Sequence, residues 1–115
     1  MATSQYIHYI LDAEGSPVPE PDLIKWGEWM RKANRHVARD ELAHGHVVST
    51  VFLGLNHSWG FGYTSPVLYE TMVFNDYGSI ACERYCTKAE AIEGHARTIA
   101  TLKDHLNQPN QPNQP

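Results

Sequence analysis

Histidine pairs, one carboxylate set among apolar residues and one cluster of aromatic rings are the features of this chain that could carry chemistry. The chain holds seven histidines. His44 and His46 form an H-x-H pair, and alternation on a strand would put both rings on one face, a usable metal-ligand spacing. His57 cannot complete that set. If residues 47–55 form one extended strand, His57 lies roughly 35 Å from His46. A third ligand would have to come from His36, Asp40 or Glu41 on a neighbouring strand. The alternative is histidines of a turn, facing solvent, and no metal is expected.

Glu70 sits between Tyr69 and Thr71, amid Leu68, Met72, Val73 and Phe74. A carboxylate in that setting either has a cationic partner or a pKa raised by burial. The partner would be Arg84 or Arg39 on a neighbouring strand. If Leu55 pairs near Val67, Glu70 stands near Phe52 rather than near His57. His95 lies beside the apolar positions of a helix, a place from which a histidine hydrogen-bonds into a sheet. Asn56 and His57 could meet it across the sheet end. A cluster of His57, Glu70 and His95 within about 8 Å would be a small-molecule site or an active site.

Nucleophile and phosphate motifs are lacking. There is no G-x-S-x-G, and Ser58 adjoins His57 only in sequence. "GFG" at 60–62 has neither the strand-to-helix context nor the further glycine of a nucleotide loop. Cys82 and Cys86 would be about 13 Å apart on a strand, too far for a disulfide, and two thiols alone make a weak zinc signal. They are read as reduced cysteines.

The stretch "NHSWGFGYTSP", 56–66, places Trp59, Phe61 and Tyr63 at alternate positions between glycines. One side of such a loop can present all three rings. It is either a lid folded over the sheet end or a recognition loop, since aromatic anchors on loops carry binding energy.

Elements must position these residues. "YIHYIL", 6–11, reads as a strand ending near Asp12, followed by the breakers Gly15, Pro17, Pro19 and Pro21. Asp22 is a suitable N-cap for an amphipathic helix with Leu23, Trp26, Met30 and Ala33 on one side. Two strands surround the turn "AHGH", with Gly45 free to take positive φ. Residues 47–55 are apolar on both faces, so both faces are expected to be covered, by helices or by a partner chain. Residues 66–74 form a further strand, 75–79 a turn, and "ACERYC" a short strand. Thr87 and Glu90 make a capping box for a last helix with Ala89, Ile92, Ala96, Ile99, Leu102 and Leu106 as its apolar stripe.

The chain of 115 residues suits one domain. We expect a single α+β domain over 1–106, with a mostly antiparallel sheet of four to five strands and two helices packed on it. Residues 107–115, an NQP repeat, read as a flexible tail. A net charge of −4 argues against general nucleic-acid binding. No apolar run follows a basic start, so no signal peptide is expected. No stretch approaches the roughly 18 apolar residues of a membrane span.

"VSTVFLGLNH" at 48–57, "LYETMVF" at 68–74 and "RYCTKAEAIEGH" at 84–95 resemble a group of small uncharacterised proteins of phages, prophages and bacterial genomes. The group's pattern has Asp or Asn at the position of Asn56 and Ser or Thr at that of Cys86. Its loop tends to be rich in glycine and proline where this chain has aromatic rings. The resemblance implies a phage-type origin and a cytoplasmic location in a bacterial host. It singles out Asn56, His57, Glu70, Arg84, Tyr85 and His95. With Trp59, Phe61 and Tyr63 these form the expected binding set, without a catalytic residue, cofactor or metal. The expected function is a non-enzymatic binding protein, a homodimer acting on a host or phage protein, for which antagonism of a host defence system is one role. The alternatives are the His57/Glu70/His95 site and a structural component of a virion.

Overall fold

The computed structural model describes residues 6–58 and 65–107. In chain order the elements are β1 (Tyr9–Leu11), β2 (Pro17–Pro19), α1 (Leu23–Lys32), β3 (His36–Leu42), β4 (His46–Phe52), β5 (Tyr69–Asn75), β6 (Gly78–Tyr85) and α2 (Lys88–Leu106). This is an α+β fold. β3 to β6 form a four-stranded antiparallel sheet in sequence order, and β1 and β2 form a separate two-stranded ribbon.

Local chemistry explains most boundaries. The Asp22 carboxylate accepts from the backbone N–H groups of Ile24 and Lys25, which opens α1. Thr87 and Glu90 form the reciprocal capping box at the start of α2. Both caps satisfy donors that a helix start leaves orphaned. A single 3₁₀ turn, Ala43–Gly45, joins β3 to β4, and Gly45 takes φ +72 there.

Three details differ from the sequence expectation. β2 forms across Pro17 and Pro19, where the sequence predicts a break. Its partner is β1 alone, with Ile10 opposite Val18. A strand paired on one side only can tolerate prolines, because their missing N–H groups face away from the ladder. Second, β4 ends at Phe52 and does not run to Leu55. Gly54 adopts φ +74, and a Cβ there would meet the Met30 sulfur of α1. The chain turns so that Leu55 bridges to His8.

Third, α2 is rotated relative to the expected stripe. Its buried residues are Ala91, Gly94 and His95, while Ile92 is 51% exposed. Small residues face the sheet, so the helix lies close to it. A Cβ on Gly94 would overlap the Tyr85 hydroxyl and ring.

The core lies between α2, β1 and one face of the sheet. It holds Tyr9, Phe52, Leu68, Tyr69, Tyr85 and Ala91, with Trp29 and Val37 packed against it. Trp29 meets Phe52 edge-to-face, ring centroids 5.8 Å apart. Burial of rings such as Phe52 and Tyr69 contributes about 1.5–3 kcal/mol each. α1 packs on β1, and the Trp26 indole N–H donates to the Gly54 carbonyl at 3.0 Å.

α2 covers only the face of Val48, Thr50, Phe52, Tyr69, Thr71 and Val73. Among the described residues no helix crosses the other face. There β4 and β5 present Val47, Val51, Met72 and Phe74, all half-buried. The same face carries ion pairs, Arg39 with Glu41 on β3 and Arg84 of β6 with Glu70 of β5.

Candidate functional site

The sharpest local geometry is at the base of the 56–66 loop. Asn56 is 8% exposed. Its Oδ1 accepts from the backbone N–H of Ser58 at 2.9 Å and of Val67 at 3.0 Å. The His57 N–H donates to the Val67 carbonyl, and the Asn56 N–H to the Ile7 carbonyl. One side chain therefore clamps both stems of the loop, and the N-terminal segment seals them. Ser58 and Val67 are buried beside it. Trp59, Phe61 and Tyr63 lie outside the described residues, as does most of the NQP repeat.

His95 bonds into the sheet. Its Nε2 lies 2.8 Å from Asp40 Oδ2 and its Nδ1 lies 2.7 Å from Thr50 Oγ1. Thr50 in turn bonds the Thr71 hydroxyl. Nε2 donates to the carboxylate, and Nδ1 shares a hydrogen bond with the threonine hydroxyl. Carboxylate, imidazole and hydroxyl in series is the order of a nucleophile triad. Thr50, however, has no accessible surface, so no substrate atom can reach it. The series instead fastens α2 to β3, β4 and β5. Asp40, Thr50 and Thr71 were not expected in this role. Asp40 and His95 are 55 positions apart, and nothing local in the sequence pairs them.

Tyr85 also anchors α2. Its hydroxyl donates to Glu83 Oε1 at 2.9 Å, and Arg97 donates to the same oxygen at 3.1 Å. Burial pushes the Tyr85 hydroxyl pKa up.

Glu70 lies on the opposite face. It stands opposite Val51 and Arg84, its side chain 14% exposed, and Arg84 Nε donates to it at 2.9 Å. The expected neighbour Phe52 belongs to the other face. Cys82 also donates to Glu70. Burial raises the Cys82 pKa, and the bond to Glu70 raises it further. Burial likewise raises that of Cys86, with Glu90 adding to it. Both shifts favour the protonated thiol over the thiolate.

The expected cluster of His57, Glu70 and His95 does not form. Glu70 projects from one face of the sheet, while His95 lies on α2 against the other face, bonded to Thr50 and Asp40. His57 Nδ1 stays with the Leu55 carbonyl at 2.9 Å, and Asn56 binds backbone and not His95. The H-x-H pair also makes no site. His44 sits in the turn with φ 61, and His46 Nδ1 bonds the Ala43 carbonyl. Among the described residues no cluster of three metal-ligating side chains exists, and no helix is long and apolar enough to cross a membrane.

Compared with protein-family models, curated proteins and solved structures, the chain matches none.

Proposed function

We propose that this chain is a small non-enzymatic binding protein of phage or prophage type, which presents the 56–66 loop to a host or phage protein. The Asn56 clamp carries this reading. A side chain with two buried backbone bonds fixes the stems of a loop whose sequence holds three aromatic rings, and rigidly mounted aromatic loops are effective recognition surfaces. The groups that could do chemistry support it too, since His95, Thr50 and Glu70 are each taken up by internal partners. The phage-type origin rests on the sequence resemblance, and antagonism of a host defence system is one role consistent with it.

The test is capture from lysates of infected and uninfected bacteria with tagged chain. A protein retained by the wild type and lost with both Trp59→Ala and Tyr63→Ala, at unchanged melting temperature, supports the proposal. Equal retention by all three overturns it. A fall in melting temperature with both variants would assign the rings to a lid.

The open sheet face supports self-association as part of this reading. Val47, Val51, Met72 and Phe74 give it more apolar surface than a solvated face carries, with Ser49 and the ion-paired Glu70 among them. Its two acids and two bases sum to zero, so two copies of an acidic chain can meet there without repulsion. Met72→Glu should convert a dimer into a monomer in sedimentation analysis while leaving the melting temperature within a few degrees. A wild type that sediments as a monomer up to millimolar concentration would reject the homodimer.

A further inference from the structure

Exposed apolar side chains gather at one end of the molecule. Tyr6, Ile7, Leu23 and Ile24 are each more than half exposed. The Glu20 N–H donates to the His8 carbonyl at 2.9 Å, which sets residues 6–8 beside the chain that enters α1. The His8 and Trp26 rings meet edge-to-face, centroids 4.6 Å apart, and hold the first turns of α1 to the same segment. α1 itself has no buried residue. The patch adjoins the base of the 56–66 loop, since the Asn56 N–H donates to the Ile7 carbonyl.

The charge of the same region is one-sided. Residues 1–24 hold four acids, Asp12, Glu14, Glu20 and Asp22, and no lysine or arginine, while the rest of the chain holds nine acids and nine bases. Asp12, Glu20 and Asp22 accept from nearby backbone N–H groups. None of the four acids joins an ion pair of the described residues. Lys25 is the nearest base in sequence. Gly27 stands four positions beyond Leu23 and so shares a side of α1 with it. Glycine inside a helix is less favourable than alanine. No close contact among the described residues requires it here, because a Cβ on Gly27 would meet nothing within 4 Å. The glycine leaves a notch beside an exposed leucine.

Resting on the reading of this chain as a binding protein, we propose that residues 6–7 and the start of α1 dock a cationic amphipathic helix of the partner protein. The apolar side of that helix lies on Ile7, Leu23 and Ile24 and enters the notch at Gly27. Its lysines or arginines face Glu20 and Asp22. Such a helix carries apolar anchors at i, i+3, i+4 and i+7 with charges between them, which suits an apolar patch edged by carboxylates. An extended segment would need an open strand edge, and the start of α1 offers none. The carboxylates repel nucleic acid and anionic membranes. They also disfavour a second copy, because a twofold contact sets this patch against itself and brings acids to acids.

The experiment is amide chemical-shift mapping of the full chain during titration with a synthetic helical peptide. The peptide has leucine at i, i+3, i+4 and i+7 and lysine between, and its control carries glutamate for lysine. Saturable binding of the lysine peptide is expected, with shifts centred on residues 6–8 and 20–27 and an affinity that falls as salt rises. Ile24→Ser, at an exposed position that leaves the fold intact, should weaken binding about tenfold. Gly27→Ala should raise the melting temperature and yet weaken binding severalfold, a combination that no loss of fold produces. Absence of saturation, equal affinity for both peptides, shifts centred elsewhere, or wild-type affinity in Ile24→Ser would overturn the proposal. Its failure is separate from that of the loop reading. A natural partner lost with Trp59→Ala and kept by Ile24→Ser would reject this surface and leave the 56–66 loop as the docking element.

Discussion

Asn56→Ala should lower the unfolding free energy by about 2–6 kcal/mol, from two buried N–H groups left without acceptors at about 1–3 kcal/mol each. The donors are the backbone N–H groups of Ser58 and Val67, and water cannot replace the lost oxygen freely because both residues are buried. Asn56 also reaches the Tyr6 carbonyl through its amide nitrogen at 3.4 Å, a long bond that adds little. Chemical denaturation followed by tryptophan fluorescence measures the loss. Asn56→Asp separates the acceptor's work from the rest. An aspartate keeps the oxygen that accepts both bonds. It should retain most of the stability. If Asp destabilises as much as Ala, the clamp is not what holds the loop base.

Gly94→Ala should cost about 1–3 kcal/mol, the range of an overpacked core. Its sign is informative. On an exposed helix the same change would stabilise by about 1 kcal/mol, because alanine is the better helix former. Here the added methyl meets the Tyr85 hydroxyl and ring, which are held by Glu83 and by burial. The helix must lift or the tyrosine must leave. Lifting α2 would also pull His95 away from Thr50 and Asp40. A double-mutant cycle with Tyr85→Leu tests the cause, since the shorter side chain should recover part of the loss. A stabilising Gly94→Ala would show that α2 does not approach the sheet this closely.

How far the sequence could be read depended on whether a signal was local. Asp22 and Thr87–Glu90 announced their helices, because a cap bonds to residues within one turn. The turns at Gly45 and between β5 and β6 were legible for the same reason, while for Glu70 the sequence narrowed a partner only to Arg84 or Arg39, of which Arg84 forms the bond. The face of α2 was not legible. Large hydrophobic residues ordinarily mark a helix's buried side, yet close packing selects Ala91 and Gly94 and leaves Ile92 in solvent. The pairing of Asp40 with His95 was also hidden. It joins residues from separate elements, and only the tertiary arrangement brings them together.

The stitching of the N-terminal segment to the middle of the chain sets an order of events in synthesis. The Tyr9 N–H donates to Gly54, the Asn56 N–H donates to Ile7, and His8 bridges Leu55. Each hairpin of the large sheet is complete once its own two strands have left the ribosome. Residues 6–11 must wait for residue 56, some forty-five positions behind them. In that interval "YIHYIL" travels as an apolar strand without its seat at the sheet end. The tight ribbon with Pro17–Pro19 gives it a local partner meanwhile. Prolines on that partner also deny the ribbon's outer edge to other strands.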